Sequence, residues 1–133
     1  MSAPARRGVV AVVRREGRFL VIRRSATVVA PLAYCFPGGG IEAGESEEAA
    51  LVRELSEELN ACIRPLRLVW RSMTPWGVDL AWWLAELTGE MCCNPAEVAS
   101  CHWHTAEEMA GLPDLLVSNR EFLAMLERGA IVI

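Results

Sequence analysis

Glu54, Glu57 and Glu58 stand at i, i+3 and i+4, so on a helix they share one side. Like charges that close repel, and the helix is weakened unless a cation sits among them. Carboxylates are hard oxygen donors, and three of them on one rigid element suit a hard divalent cation. Just ahead lies a glycine run, Gly38-Gly39-Gly40, and then Glu45. Such a run exposes backbone groups beside the acids, so the chemistry to expect is that of a metal and an anionic ligand.

The element that carries the acids reads clearly as a helix. Ser46 is a good N-cap, Glu47 and Glu48 in the first turn complement the helix dipole, and Asn60 suits a left-handed C-terminal cap. Leu51, Val52, Leu55 and Leu59 fall within about a quarter-turn of one another and define the packing side. Glu47, Glu54, Glu57 and Glu58 form a separate stripe centred about 120° away, turned toward the glycine run.

Strands must supply the remaining support. Residues 9–13 are apolar and β-branched, as expected of a strand buried on both faces, and Glu16-Gly17 turns the chain into a return strand over 18–24. Residues 25–33 read as a loop and 34–36 as a short strand feeding the glycines. Further strands are expected over 62–73, broken at Pro65, over 78–87 and over 99–104. Thr105 with Glu108 forms a capping box for a short helix. Ser118 with Glu121 forms another, for a helix over 119–128 that Gly129 ends. Strands on both sides of the first helix and two closing helices predict an α/β fold, a mixed β-sheet sandwiched between helices (α/β/α).

Composition narrows the function classes. At 133 residues, 53% of them hydrophobic, the chain fits one folded domain over 1–133. The formal net charge of −4 argues against nucleic acid as a partner. All 13 basic residues are arginines, and seven of them precede residue 25. The five cysteines form no CxxC pair, and an odd count fits unpaired thiols in a reducing cytoplasm. The apolar run at 9–13 is too short for a signal segment or a membrane span, so no membrane partner is expected.

Written as a pattern, the acidic segment is Gly39-x5-Glu45-x7-Arg53-Glu54-Leu55-x-Glu57-Glu58-x-Asn60-Ala61. This resembles the Nudix box over 39–61, matching every charged position at its spacing. Asn60 stands where the family has glycine, which its tolerance of the left-handed conformation accommodates. Ala61 is smaller than the usual aliphatic residue. The resemblance implies a Nudix fold and a MutT-like pyrophosphohydrolase. Its reaction would be hydrolysis of a nucleoside diphosphate linked to another group, with Mg²⁺ or Mn²⁺ as cofactor and a small nucleotide as substrate. It further implies Glu54, Glu57, Glu58 and the Gly38 carbonyl as metal ligands, Glu54 as acceptor of the water proton, and Arg53 and Glu45 as partners that hold the acidic helix to its loop. A catalytically silent nucleotide-binding module and an isomerase on the same fold are the alternatives. The longer pattern of NADH-cleaving members is absent, and RNA decapping is disfavoured by the acidic balance.

Other residues are weaker candidates. Glu97 precedes the strand that carries Trp103, where many Nudix proteins have a further glutamate, and is read as an additional metal ligand or base. Of Arg23 and Arg24, adjacent in a strand, only one can face a cleft and reach a phosphate. Trp76, between Pro75 and Gly77, falls in a loop and is the tryptophan best placed to touch substrate, the others being expected in the core. Gly39 is expected to approach substrate with its backbone. His102 and His104 alternate with Cys101 and Trp103, so no zinc set converges there. The oligomeric state is left open, a homodimer included.

Overall fold

The computed structural model describes residues 6–133; residues 1–5 of the expected 1–133 domain lie outside the described residues. The elements run β1 (Arg6–Arg15), β2 (Arg18–Arg24), β3 (Tyr34–Cys35), β4 (Gly38–Gly40), α1 (Glu47–Leu59), β5 (Ile63–Met73), β6 (Val78–Leu87), β7 (Val98–His104), α2 (Ala106–Ala110) and α3 (Val117–Glu127). The central path of the sheet is β3-β2-β1-β6-β5, with β4 joined to β1 and β7 to β2. The β1–β6 pair is parallel and the other pairs are antiparallel, so the sheet is mixed.

Side-chain alternation divides the core into two layers. Val9, Ala11 and Val13 of β1 join Leu20 and Ile22 of β2 on the face that α1 covers with Leu51, Leu55 and Leu59. Val10 and Val12 turn the other way, toward Phe122 of α3 and Met109 of α2. Trp82, fully buried, stacks on Phe122 with ring centroids 5.0 Å apart. The result is an α/β/α sandwich. Trp70 tilts against Trp82, and Trp83 and Trp103 pack against the α1-side layer.

The caps of α1 hold its two ends. The Ser46 side chain accepts from the Ala49 N–H, and Asn60 adopts φ 48°, the left-handed region that asparagine tolerates better than most residues. The N-terminal turn is tied to three strands through Glu47, which accepts from Arg7 of β1 at 3.0 Å, Arg71 of β5 at 2.9 Å and the Trp83 indole of β6 at 2.9 Å.

Three expectations are corrected by the packing. Val52 is 41% exposed, because it lies at the rim of the apolar stripe, and Ala50 takes its place under the sheet. The helix over 119–128 begins earlier, at Val117. Its N-cap is Leu116, which has no side-chain cap bond, and the box of Ser118 and Glu121 does not form. Tertiary contacts set this start: Asn119 is drawn inward to accept from the Phe36 N–H at 2.9 Å, and Leu116 packs on the α1-side layer. Finally, Cys93 and Cys101 form a disulfide, whereas unpaired thiols were expected; the loop before β7 folds back on that strand and brings them together. Cys35 is a buried thiol, and Cys62 and Cys92 are exposed ones.

Candidate functional site

The glycine strand β4 runs antiparallel to β1, with Val9 opposite Gly39 and Val10 opposite Gly38. Gly38 and Gly40 turn their peptide groups away from β1, as alternate residues of an antiparallel strand do. On that free edge the Gly38 N–H donates to Glu58 Oε1 at 2.9 Å, and the Gly40 carbonyl accepts from Arg53 at 2.8 Å. Glycine is needed here because the elements approach so closely. A Cβ on Gly39 would overlap the Glu54 carboxyl, and one on Gly38 would overlap the Val9 carbonyl.

Arg53 organises the seam between β4 and α1. Its guanidinium donates to both oxygens of Glu45, at 2.8 and 2.9 Å, to Glu54 at 3.0 Å and to Glu57 at 3.3 Å. A planar fork with five donors can make all these bonds together, which an ammonium cannot. The bonds from Arg53, with the Glu42 N–H, hold Glu45 down at about 2, far below the usual carboxylate. They also hold the Arg53 guanidinium above its usual value, Glu45 contributing most.

The three helix acids occupy different surroundings, so the expected single acidic stripe is corrected. At about 100° per residue, Glu58 falls next to Leu51, inside the apolar side, and the structure leaves it only 6% exposed. Burial pushes its carboxyl up to about 8, helped by the nearby charges of Glu54 and Glu97 and opposed by the Gly38 N–H and Arg24. Glu54 is raised too, chiefly by burial, against the pull of Arg53. Glu57 is exposed and rests on Arg53. Glu47 belongs to the Arg7, Arg71 and Trp83 network and not to this seam.

Among the described residues, no group of three or more His, Cys, Asp or Glu side chains converges closely enough to hold a metal ion. Arg53 occupies Glu54 and Glu57, and the Gly38 N–H occupies Glu58. The chemistry of the donor set nevertheless fits a hard cation. The charges of Glu54 and Glu97 lie near enough to Glu58 to help raise its carboxyl, and the Gly38 peptide shares that edge. Binding would require Glu57 to leave Arg53 and Glu58 to give up its proton.

A cleft of about 740 Å³ opens on the other side of the glycine strand. Gly38, Gly39 and Glu45 form its boundary with the acidic seam, and Arg24, Cys35 and Asn119 stand on its walls; the three helix acids lie beyond its rim. Of the two adjacent arginines, Arg24 faces this cleft, its Nε donating to the Val29 carbonyl at 2.6 Å. Arg23 lies over the Tyr34 ring, 5.3 Å from its centre. Trp76 is 63% exposed in the turn between β5 and β6 and is not on the cleft wall. His102 and His104 stack on each other, while Cys101 and Trp103 pack into the α1-side layer.

Two contributors escaped the reading of the sequence. Asn119 is 3% exposed and braces the strand entering the glycine run through Phe36. Its only signal was an asparagine near a helix start. Asn94 docks the Glu97 loop on α1 by donating to the Glu57 and Glu58 carbonyls. Asn94-Pro95 did carry a turn signal, but a turn does not say which element it will cap.

Fold and seam together define a class: an α/β/α protein in which a glycine strand and an acidic helix form one site. The model of the NUDIX domain matches residues 4–126, and the chain belongs to that family. It is similar to an uncharacterized Nudix hydrolase of Streptomyces coelicolor, SCO1686, at 38% identity over 96 residues, covering 67% of this chain and 51% of that protein. It is also similar to the NAD-capped RNA hydrolase NudC of Deinococcus radiodurans, at 28% identity over 112 residues, covering 81% of this chain and 39% of the relative. The chain thus spans about half or less of these curated relatives' length. Among solved structures, a MutT NUDIX hydrolase from Burkholderia pseudomallei aligns with a TM-score of 0.77 at 25% identity, over 92% of this chain and 98% of the other. No helix among the described residues is long and apolar enough to cross a membrane.

Proposed function

We propose that the chain hydrolyses a pyrophosphate bond in a small nucleotide, a nucleoside triphosphate or another nucleoside diphosphate linked to a second group, with Mg²⁺ or Mn²⁺ as cofactor. The observation that carries this reading is the seam itself. Arg53 binds Glu45, Glu54, Glu57 and the Gly40 carbonyl at once, and so sets hard oxygen donors against a glycine strand that borders an open cleft.

In this reading Glu54, Glu57, Glu58 and the Gly38 carbonyl hold the cation, with Glu97 as a further donor. When bound, such a cation neutralises phosphate oxygens and lowers the pKa of an attacking water. The chain's own residues do the rest. Glu54, its carboxyl raised by burial, accepts the proton from water at the edge of Gly39. Arg53 keeps Glu54 oriented and Glu45 ionised. Arg24 on the cleft wall offers a guanidinium to a phosphate, and the apolar walls near Phe36 and Leu80 suit a nucleobase. Glu97 is an alternative acceptor of the proton, and Glu97→Gln compared with Glu54→Gln in a pH–rate profile tells the two apart.

The test is a panel of nucleoside triphosphates, ADP-ribose and NAD with Mg²⁺ or Mn²⁺, resolving phosphate, pyrophosphate and mononucleotide products. Glu57→Gln is expected to lower turnover by about a hundredfold, the upper end for groups that support a metal site, with circular dichroism unchanged. Full turnover in that variant, or binding of nucleotide without any turnover in the parent, would sink the reading; the second result would mark a silent binding module.

A further inference from the structure

The last turn of an α-helix leaves carbonyls without intrahelical partners. In α1 the Ser56 carbonyl accepts from the Asn60 N–H, within the cap itself. The carbonyls of Glu57, Glu58 and Leu59 are satisfied from outside, by the loop that precedes β7. Asn94 Nδ2 donates to the Glu57 carbonyl at 3.0 Å, the Asn94 N–H to the Glu58 carbonyl at 2.8 Å, and the Cys92 N–H to the Leu59 carbonyl at 2.7 Å. No basic side chain lies in that last turn to do this work instead.

The same asparagine shapes the segment that carries Glu97. Asn94 Oδ1 accepts from the Ala96 N–H at 3.2 Å, and its backbone carbonyl accepts from the N–H groups of Glu97 at 3.0 Å and Val98 at 2.8 Å. The Glu97 carbonyl in turn accepts from the Ser25 N–H at 3.0 Å, next to Arg24. One residue back, Cys93 is bonded to Cys101 of β7. The loop is therefore fixed at both ends, and Asn94 is the point where it meets the acidic helix.

We propose that Asn94 is a positioning residue: its side-chain amide, clamped on the Glu57 carbonyl, sets Glu97 beside Glu54 and Glu58 and makes it part of their cation site. This rests on the reading that those glutamates hold a divalent cation. A cap with no such role would stabilise α1 without affecting what the acids bind. Asn94→Asp separates the two functions of the side chain, since it keeps an acceptor for Ala96 and loses the donor to Glu57.

The experiment is Mn²⁺ binding to the whole chain, followed by electron paramagnetic resonance of free Mn²⁺. The proteins compared are the parent, Glu97→Gln, Asn94→Ala, Asn94→Asp and the double variant Glu97→Gln/Asn94→Ala. Loss of a group that orients a metal ligand typically costs 10- to 100-fold in affinity. Glu97→Gln and both Asn94 variants are each expected to weaken Mn²⁺ binding about tenfold, and the double variant no further. Affinity unchanged in Asn94→Asp, or losses from Asn94 and Glu97 that simply multiply, would overturn the proposal while leaving the cation site standing. A parent that binds no Mn²⁺ overturns the reading beneath it as well. Binding stoichiometry corrects for any fraction of a variant that does not fold.

Discussion

Glu58 is pulled in two directions. It lies on the packing side of α1 beside Leu51, yet it accepts the Gly38 N–H and is a candidate metal ligand. Without metal, burial raises its carboxyl from an ordinary 4.5 to about 8. The folded state then binds more protons than the unfolded one between those two values. The stabilisation is therefore complete below about 4.5 and is lost as pH rises through about 8. Protein treated with EDTA should accordingly unfold at progressively lower urea as pH goes from 5 to 8.5. Glu58→Gln should flatten that slope and exceed the parent in stability at pH 8.5. An unchanged slope in Glu58→Gln would show that the proton sits elsewhere. Added Mg²⁺ should reverse the loss in the parent alone, because only the ionised carboxylate ligates. Arg53 presents the opposite case: its partners were legible as types, since one guanidinium among Glu45, Glu54 and Glu57 has to pair with some of them.

At the scale of elements, α1 was the most readable part of the chain. Its cap residues, its leucine spacing and its end at Asn60 are local properties, governed by groups within a turn or two of one another. The same local logic gave the capping box of Thr105 and Glu108. It failed at α3, where Leu116 and Asn119 are held by other elements and the helix begins before Ser118. Asn60 combines both kinds of control: its left-handed φ of 48° is local, while its amide also donates to the Cys92 carbonyl at 2.8 Å. Asn60→Ala should cost about 1–2 kcal/mol, because a Cβ without a compensating polar group is unfavourable in that conformation. Asn60→Gly should cost less, losing only the bond to Cys92. Urea unfolding of the two variants checks the order, and equal losses would assign the whole effect to the loop contact.

Across the whole molecule, the candidate site lies where β4 meets α1, with the loop before β7 docked on the end of that helix. Gly39 makes that meeting close enough to matter. Gly39→Ala puts a methyl group into the space of the Glu54 carboxyl, so Glu54 must turn away from the strand. The expected result is a loss of turnover comparable to that of Glu54→Gln, about two to four orders of magnitude for a displaced base, and it is checked by steady-state kinetics beside the thermal midpoint. Unimpaired turnover in Gly39→Ala would place the working carboxylate elsewhere. By itself the sequence determined the strand–glycine–helix order, the acids and their arginine, and the alternation that sorts residues 9–13 into two layers, because these depend on periodicity and on neighbours in the chain. Only the tertiary structure decided that Glu58 is buried while Glu57 is exposed, and that Glu47 serves the sheet. It also decided that Arg24 and not Arg23 faces the cleft, and that Asn94 joins Glu97 to the helix. Those outcomes depend on which surfaces pack together and on how far each charge lies from water, and spacing along a chain measures neither.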